Sequence, residues 1–519
     1  MRRYTHPPAL GATMIRFTVS QDSAAAPIDP ARSCLLGVDD HPVGGSIRAV
    51  AGELVVDTSH AGSLALCMPW DAGPMGRLML QTCLLEQREA PYRLALEIAR
   101  QRIKFVIAKA EEWQVWDHPG AADALQQLDR ARRQFTEAIT STDAAASDAA
   151  ARRSIATAID AGERLAIAHG QILIHRRFAS KPASSAVLGM RVHASDPPQR
   201  CAALLGQDVD VVFVPLDWPE IEEVQGSYDF SSAIAWLDWA VSAGKRTVLG
   251  PIVDLSPGRL PAWLESRRAD HGALREAVWG LAEAAARQLS THVGLWSLAR
   301  GLHASSAHGL TISQTNDLVR RAAVAVRGVR RNAPTLLEVT EPFADGPLEP
   351  DDPMGPWRWL ASLMSEGIHI DVLHVHLEVG EEGSGRSVRD LLQISALLDR
   401  MLPLQKKVFA EIGAPSASGG DHGGVWRTPW SPDVQASWAT RALTIAMSKP
   451  HVELVAWHRL RDAPGSAAAF GAADEEFVSK PVMSRLAAFR RRLRQPLGPW
   501  KPPAAAAQAQ PAVGGQGSG

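Results

Sequence analysis

The chain has 519 residues, 46% hydrophobic and 21% charged, a composition typical of a folded protein long enough for two or three domains. Its 54 Lys+Arg against 56 Asp+Glu leave almost no net charge. That argues against electrostatic binding to nucleic acid or an anionic membrane, which needs a concentrated basic face.

The first residues (Met1, Arg2, Arg3, then Tyr4) are basic, but no apolar stretch of the signal-peptide kind follows them. Met14 is an alternative start. No apolar run approaches the length of a membrane span. Cys34, Cys67, Cys83 and Cys201 lack CxxC or metal-finger spacing and fit free thiols in a reducing compartment. Together these features predict a cytoplasmic protein; no cofactor is expected, and oligomeric state is not legible.

Over 14–88, short apolar runs broken by Gly, Pro and Asp predict a small antiparallel β-sandwich of jelly-roll type. The texture becomes helical over 89–180. Pro91 opens a helix, a second covers 121–139, and a third covers 149–177, with the polar stretch 141–148 as a loop. Residues 180–185, with Pro182 inside, read as a linker.

A regular alternation follows over 186–494. Strand-like runs lie at 187–193, 209–216, 246–255, 293–299, 335–340, 370–379, 407–412 and 452–460, with amphipathic helical patterns in the gaps. Eight strand–helix units in about 300 residues predict an α/β fold, a (β/α)8 TIM barrel. A doubly wound open sheet is the weaker alternative, because no Gly-rich dinucleotide loop follows the first strand. The basic run at 490–494 ends the last helix, where cations suit the helix dipole. The Pro/Ala/Gln/Gly-rich tail, 495–519, reads as disordered.

Two features of this barrel point to chemistry. The run 406–415 places one carboxylate, Glu411, at the C-terminal end of a buried strand. There a lone charge is costly unless paired or used, and barrel enzymes place their active sites at that end. The chain also holds 16 Trp but only 3 Tyr, most of the Trp after position 217. Trp serves as a flat platform for sugar rings, and equally as core filler.

The order of the barrel segments resembles glycoside hydrolase family 10, the xylanase family. The matching segments are Trp218 with Gly226–Phe230, Leu260-Pro261-Ala262-Trp263, Trp296–Gly301, Ile370–Leu373, Phe409-Ala410-Glu411, Val455-Ala456-Trp457 and Lys480-Pro481. The resemblance implies a glycosidase that acts on a β-linked oligo- or polysaccharide, with Glu411 as nucleophile. It implies Trp218, Trp263, Trp296, Trp457, His376 and Arg300 as substrate contacts.

The departures are equally specific. The acid/base position falls on Gly301, its neighbouring Asn on Arg300, and the third-strand His on Pro251. Hydrolysis needs a proton donor for the leaving oxygen. Glu378, on one strand face with His374 and His376, is the first candidate for a relocated acid, and Glu341 the second. Such an acid needs a raised pKa, which Trp296 or Trp457 would supply by desolvation. The alternative for Glu378 is a loop carboxylate paired with Arg386 or Arg389. Two further functional classes stay open: an inactive saccharide-binding or scaffold protein, and a metal-dependent hydrolase using His374 and His376. The Gly-rich stretch 419–424 reads as a loop over the mouth.

Overall fold

The computed structural model describes residues 13–19, 29–50, 52–183, 187–304, 309–345, 355–381, 385–418, 423–465 and 467–501. All eight expected barrel strands form. They run Leu188–Arg191, Val211–Val214, Arg246–Leu249, Leu295–Arg300, Thr335–Val339, Val372–Glu378, Lys407–Gly413 and Val452–Trp457. Each pairs in parallel with its neighbours, and the eighth returns to the first through Val455↔Leu188 and Trp457↔Met190. The sheet is therefore a closed (β/α)8 barrel. The third strand stops at Leu249 and resumes as Val253–Asp254. Pro251 has no N–H for the ladder, and a side chain at Gly250 (φ +129°) would overlap the Ser297 carbonyl.

Strand alternation divides the barrel wall into two faces. Val211, Phe213, Val248, Leu336, Val372, Leu454 and Ala456 fill the interior, with Leu295 and Phe409 against them. Above this apolar plug, toward the C-terminal mouth, the same inward register presents Arg191, Ser297, Glu338, His374, His376 and Glu411, all buried. The alternate residues, Trp296 and Trp457 among them, pack outward into the layer shared with the helices.

The N-terminal strands form two sheets. One contains Thr13–Thr18, Ser46–Val50, Glu53–Thr58 and Tyr92–Arg93. The other contains Cys34–Leu36, Pro42–Val43, Ala65–Asp71 and Gly76–Gln81, joined by Val425–Trp426 from the segment after the seventh barrel strand. The N-terminal module thus shares a sheet with the barrel's own loop.

Helices Leu94–Glu112, Ala122–Thr140 and Ala144–Phe178 follow. The expected loop at 141–148 is mostly helix. The Asp143 carboxylate accepts from Ala146 N–H at 3.0 Å and starts the third helix five residues early. The basic run at 490–494 is more than a solvated end. Arg490 and Arg494 bond Asp210 at 2.7 and 2.9 Å, and Asp210 in turn accepts from the N–H groups of Val187 and Leu188. The tail is ordered further than its composition suggests, since Leu497 N–H reaches Phe178 O at 2.9 Å and the Trp500 ring lies against His118. Residues 502–519, the linker positions 184–186 and loop positions 419–422 lie outside the described residues. Among the described residues, no helix is long and apolar enough to cross a membrane.

Candidate active site

Along the seventh strand, Val408, Ala410 and Ile412 face the helices while Phe409, Glu411 and Gly413 face inward. Glu411 stands in register between His376 and Ala456. It is completely buried. A bare carboxylate there would cost several kcal/mol, so partners are obligatory.

Arg191, at the end of the first strand, supplies most of them. Its Nε donates to Glu411 Oε1 at 3.2 Å and Oε2 at 3.0 Å, and its Nη2 donates to Oε2 at 2.9 Å. His458 Nδ1 lies 3.0 Å from Oε1, and His376 Nδ1 and His374 Nε2 each lie 3.3 Å from an oxygen. Burial alone would raise the Glu411 pKa. Arg191 first, then His376, His458 and His374, overcome it and hold the carboxylate well below its usual range.

The same Arg191 Nη2 bonds Glu338 Oε2 at 3.0 Å. Glu338 also receives Ser297 Oγ–H at 2.8 Å and His376 Nε2 at 2.9 Å. His376 reaches Glu378 through its other nitrogen, also at 2.9 Å, and His458 Nδ1 lies 2.7 Å from Glu378. Burial opposes charge on both glutamates. Arg191 and His376 nonetheless keep Glu338 ionised, and His458 and His376 do the same for Glu378. His376 is pushed down by burial but raised overall by the carboxylates around it, so it donates at both nitrogens. His374, beside Phe213 and Phe409, is pushed down to about 3 by burial and stays neutral.

Above this network lies a cavity of about 440 Å³ at the C-terminal mouth. Glu378, His376, Arg300, Glu341 and Trp218 line it. Several expectations change here. Glu411 does not line the cavity. It sits beneath Arg191, His376 and His458 with both oxygens engaged. Glu378 faces the cavity but is held ionised by two histidines, the opposite of what a general acid requires. Of its two suggested partners, Arg386 comes within 3.8 Å, whereas Arg389 binds Asp345 at 2.5 Å.

Trp296 and Trp457 are not cleft platforms. Each is fully buried one position out of the inward register, and Trp457 Nε1 donates to Phe470 O at 3.2 Å. They therefore cannot desolvate an acid in the mouth. Trp263 is half-buried, lies outside the cavity lining and donates to Glu222 O at 3.0 Å. Trp218 lines the cavity with little exposed surface, its Nε1 tied to Glu222 at 2.7 Å.

Position 301 is closed as well as empty. Gly301 has φ +56°, and a Cβ there would overlap Thr340 Oγ1. The next residue, Glu341, lines the mouth in a left-handed conformation (φ +47°) that is strained for a non-glycine.

Two triads, Glu338/His374/His376 and His376/Glu378/Glu411, bring ligand-type atoms within 4.8 Å of one another. The donor set fits a guanidinium better than a metal. Arg191 already binds Glu338 and Glu411, both nitrogens of His376 face carboxylates, and a divalent ion would enter against that fixed charge. The donor set therefore does not favour the alternative metal route through His374 and His376.

Arg191, Glu338 and His458 were missed as site residues in the sequence. Arg191 and Glu338 carried the signal that singled out Glu411: one charge inside an apolar strand.

No family model and no curated protein matches the chain. Solved structures similar to it include xylanase 10B from Thermotoga petrophila RKU-1 in complex with xylobiose (TM-score 0.45, 11% identity, 62% of this chain and 96% of that one). Endo-1,4-beta-xylanase XylE from Penicillium canescens gives 0.45, 14%, 61% and 96%. The exo-beta-1,4-mannosidase Op5Man5 from Opitutaceae bacterium strain TAV5 gives 0.41, 16%, 60% and 60%. At these values the likeness carries no information about individual side chains.

Proposed function

We propose that this protein is a saccharide-binding (β/α)8 barrel whose mouth holds its ligand without the two-carboxylate hydrolysis that the order of its segments suggests. A saccharide presents donors and acceptors on every face. The mouth offers both, with Arg300, Arg459 and His458 as donors and Asp254, Glu341 and Glu378 as acceptors. The xylanase-like segment order supports a β-linked ligand.

One observation carries the loss of hydrolysis. The carboxylate at the nucleophile position, Glu411, is sealed under Arg191 with both oxygens occupied. At the acid/base position Thr340 fills the space of any side chain. Titration calorimetry with β-linked oligosaccharides is the test, run beside aryl β-glycosides whose good leaving groups need little acid help. Binding without turnover supports the reading, and turnover abolished by Glu378→Gln sinks it.

A second reading has one observation in its favour. Glu378 and Glu341 line the same cavity, and Glu341 directly follows the threonine that closes position 301. Ionised Glu378 would attack the anomeric carbon, Glu341 would protonate the departing oxygen, and water would then release the sugar from Glu378. Turnover lost in both Glu378→Gln and Glu341→Gln, yet kept in Glu411→Gln, selects it.

A further inference from the structure

We propose that the ligand of the mouth is an acidic saccharide, its carboxylate, sulfate or phosphate group clasped between Arg300 and Arg459. The proposal rests on the saccharide reading of the cavity and adds the chemical class.

Five arginines line the cavity, and three already have an anion. Arg191 is bound to Glu411 and Glu338, Arg386 is paired with Glu381, and Arg259 stands 3.7 Å from Asp217. Arg300 and Arg459 differ. Both are half-buried. Neither side chain makes a hydrogen bond, or an ion pair within 4 Å, to any described residue. A guanidinium removed from water without an acceptor is costly, and it is the side chain best shaped to take an oxyanion through two parallel bonds.

Their positions suit one ligand. Arg300 ends the fourth barrel strand, and Arg459 lies two residues beyond the eighth. In a closed ring of eight, the fourth and eighth strands are diametrically opposed. Both side chains line the cavity, on strands that face each other across the ring, so a ligand in the mouth has a guanidinium on either side. Burial pulls Arg459 below the usual arginine range, and Glu378 and Asp462 only partly offset it.

Glu338, Glu378 and Asp254 favour the charge of Arg300 from beyond hydrogen-bond reach, and each is engaged elsewhere: Glu338 takes its bonds from Arg191, Ser297 and His376. Glu378 is engaged by His376 and His458, and Asp254 accepts from Ser256 N–H at 2.9 Å. The cationic character is local, because the whole chain is near neutral. It therefore selects a charged group on a ligand rather than a polyanion surface.

The test is calorimetric titration of the full chain with four probes of one β-linked backbone. These bear a uronic-acid carboxylate, the same carboxyl reduced to its alcohol, a sulfate ester, and a phosphate ester. The expected result is binding of at least one acidic probe roughly tenfold tighter than the alcohol. That preference should weaken with added salt and vanish in Arg300→Gln and in Arg459→Gln. Arg300→Lys and Arg459→Lys keep the charge without the fork, and should retain part of it. Thermal melting of each variant separates lost recognition from lost folding. The tightest probe tells carboxylate from sulfate from phosphate. Equal binding of acidic and neutral probes overturns the anion clasp and leaves the saccharide reading standing. Binding of none overturns both.

Discussion

Arg191 and Glu411, 220 positions apart in the chain, meet inside the barrel through three hydrogen bonds of 2.9 to 3.2 Å. Arg191 bridges onward to Glu338. A buried cation shared by two carboxylates is worth little against an apolar replacement of the whole set, but removing one member strands the others. Arg191→Met should therefore cost about 3–5 kcal/mol, read as a shift in the urea unfolding midpoint. Glu411→Ala should also act as a stability mutation. An unchanged urea midpoint in either variant would contradict the network.

Stability should fall in acid in two stages. His374 titrates near 3 when folded against about 6.5 unfolded. A depressed pKa gives stability that is present above the unfolded value and lost as pH falls through that window. His303 and His169, both pushed by burial to about 4, add to the same stage. Glu338, Glu378 and Glu411 are depressed too, so their contribution is full above about 4.3 and lost below it. His376 has the opposite sign, because its raised pKa stabilises at low pH and that contribution is lost as pH rises through the folded value. Urea midpoints from pH 8 to 4 will show whether the decline begins near 6.5, and His374→Leu should flatten that first stage.

Restoring a glutamate at position 301 should fail. Gly301→Glu forces a side chain onto a left-handed residue and into Thr340, at a cost of about 1–3 kcal/mol. No turnover of aryl β-glycosides is expected from it. Thr340→Gly added to Gly301→Glu should recover part of the stability. A stable, active single variant would show that the position is open after all.

The outward tryptophans should affect stability alone. Trp457→Ala should destabilise by about 3–5 kcal/mol, because the ring fills the layer between barrel and helices. Saccharide affinity of the folded fraction should stay unchanged. Trp218→Ala, at the cavity wall, should weaken binding in the same titration.

Glu163 ties the long helix to the segment after the seventh barrel strand. It accepts from Trp426 Nε1 at 2.7 Å, from Arg427 Nη2 at 2.7 Å and from Leu391 N–H at 3.3 Å. Glu163→Ala should cost about 2 kcal/mol or more and free the segment after the seventh barrel strand. Faster limited proteolysis between residues 413 and 432 than in the parent protein is the expected signature.

Much of the architecture was legible in the residues. Apolar runs of strand length, separated by amphipathic helical stretches, located all eight barrel strands, because burial on both faces leaves a mark in composition. Glu411 was legible for the same reason, as a charge out of place in an apolar strand. What that charge does was not. Whether Trp296 or Ser297, or Trp457 or His458, turns inward depends on a one-residue register that composition does not carry.

The sequence by itself determined the barrel, its strand positions and the charges buried in its wall, since these follow from local patterns of polarity. Only the tertiary structure decided that Arg191 lies on Glu411, that Thr340 closes position 301 and that Arg300 and Arg459 line one mouth. Those relations join residues tens to hundreds of positions apart, and they exist only once the ring of strands has closed.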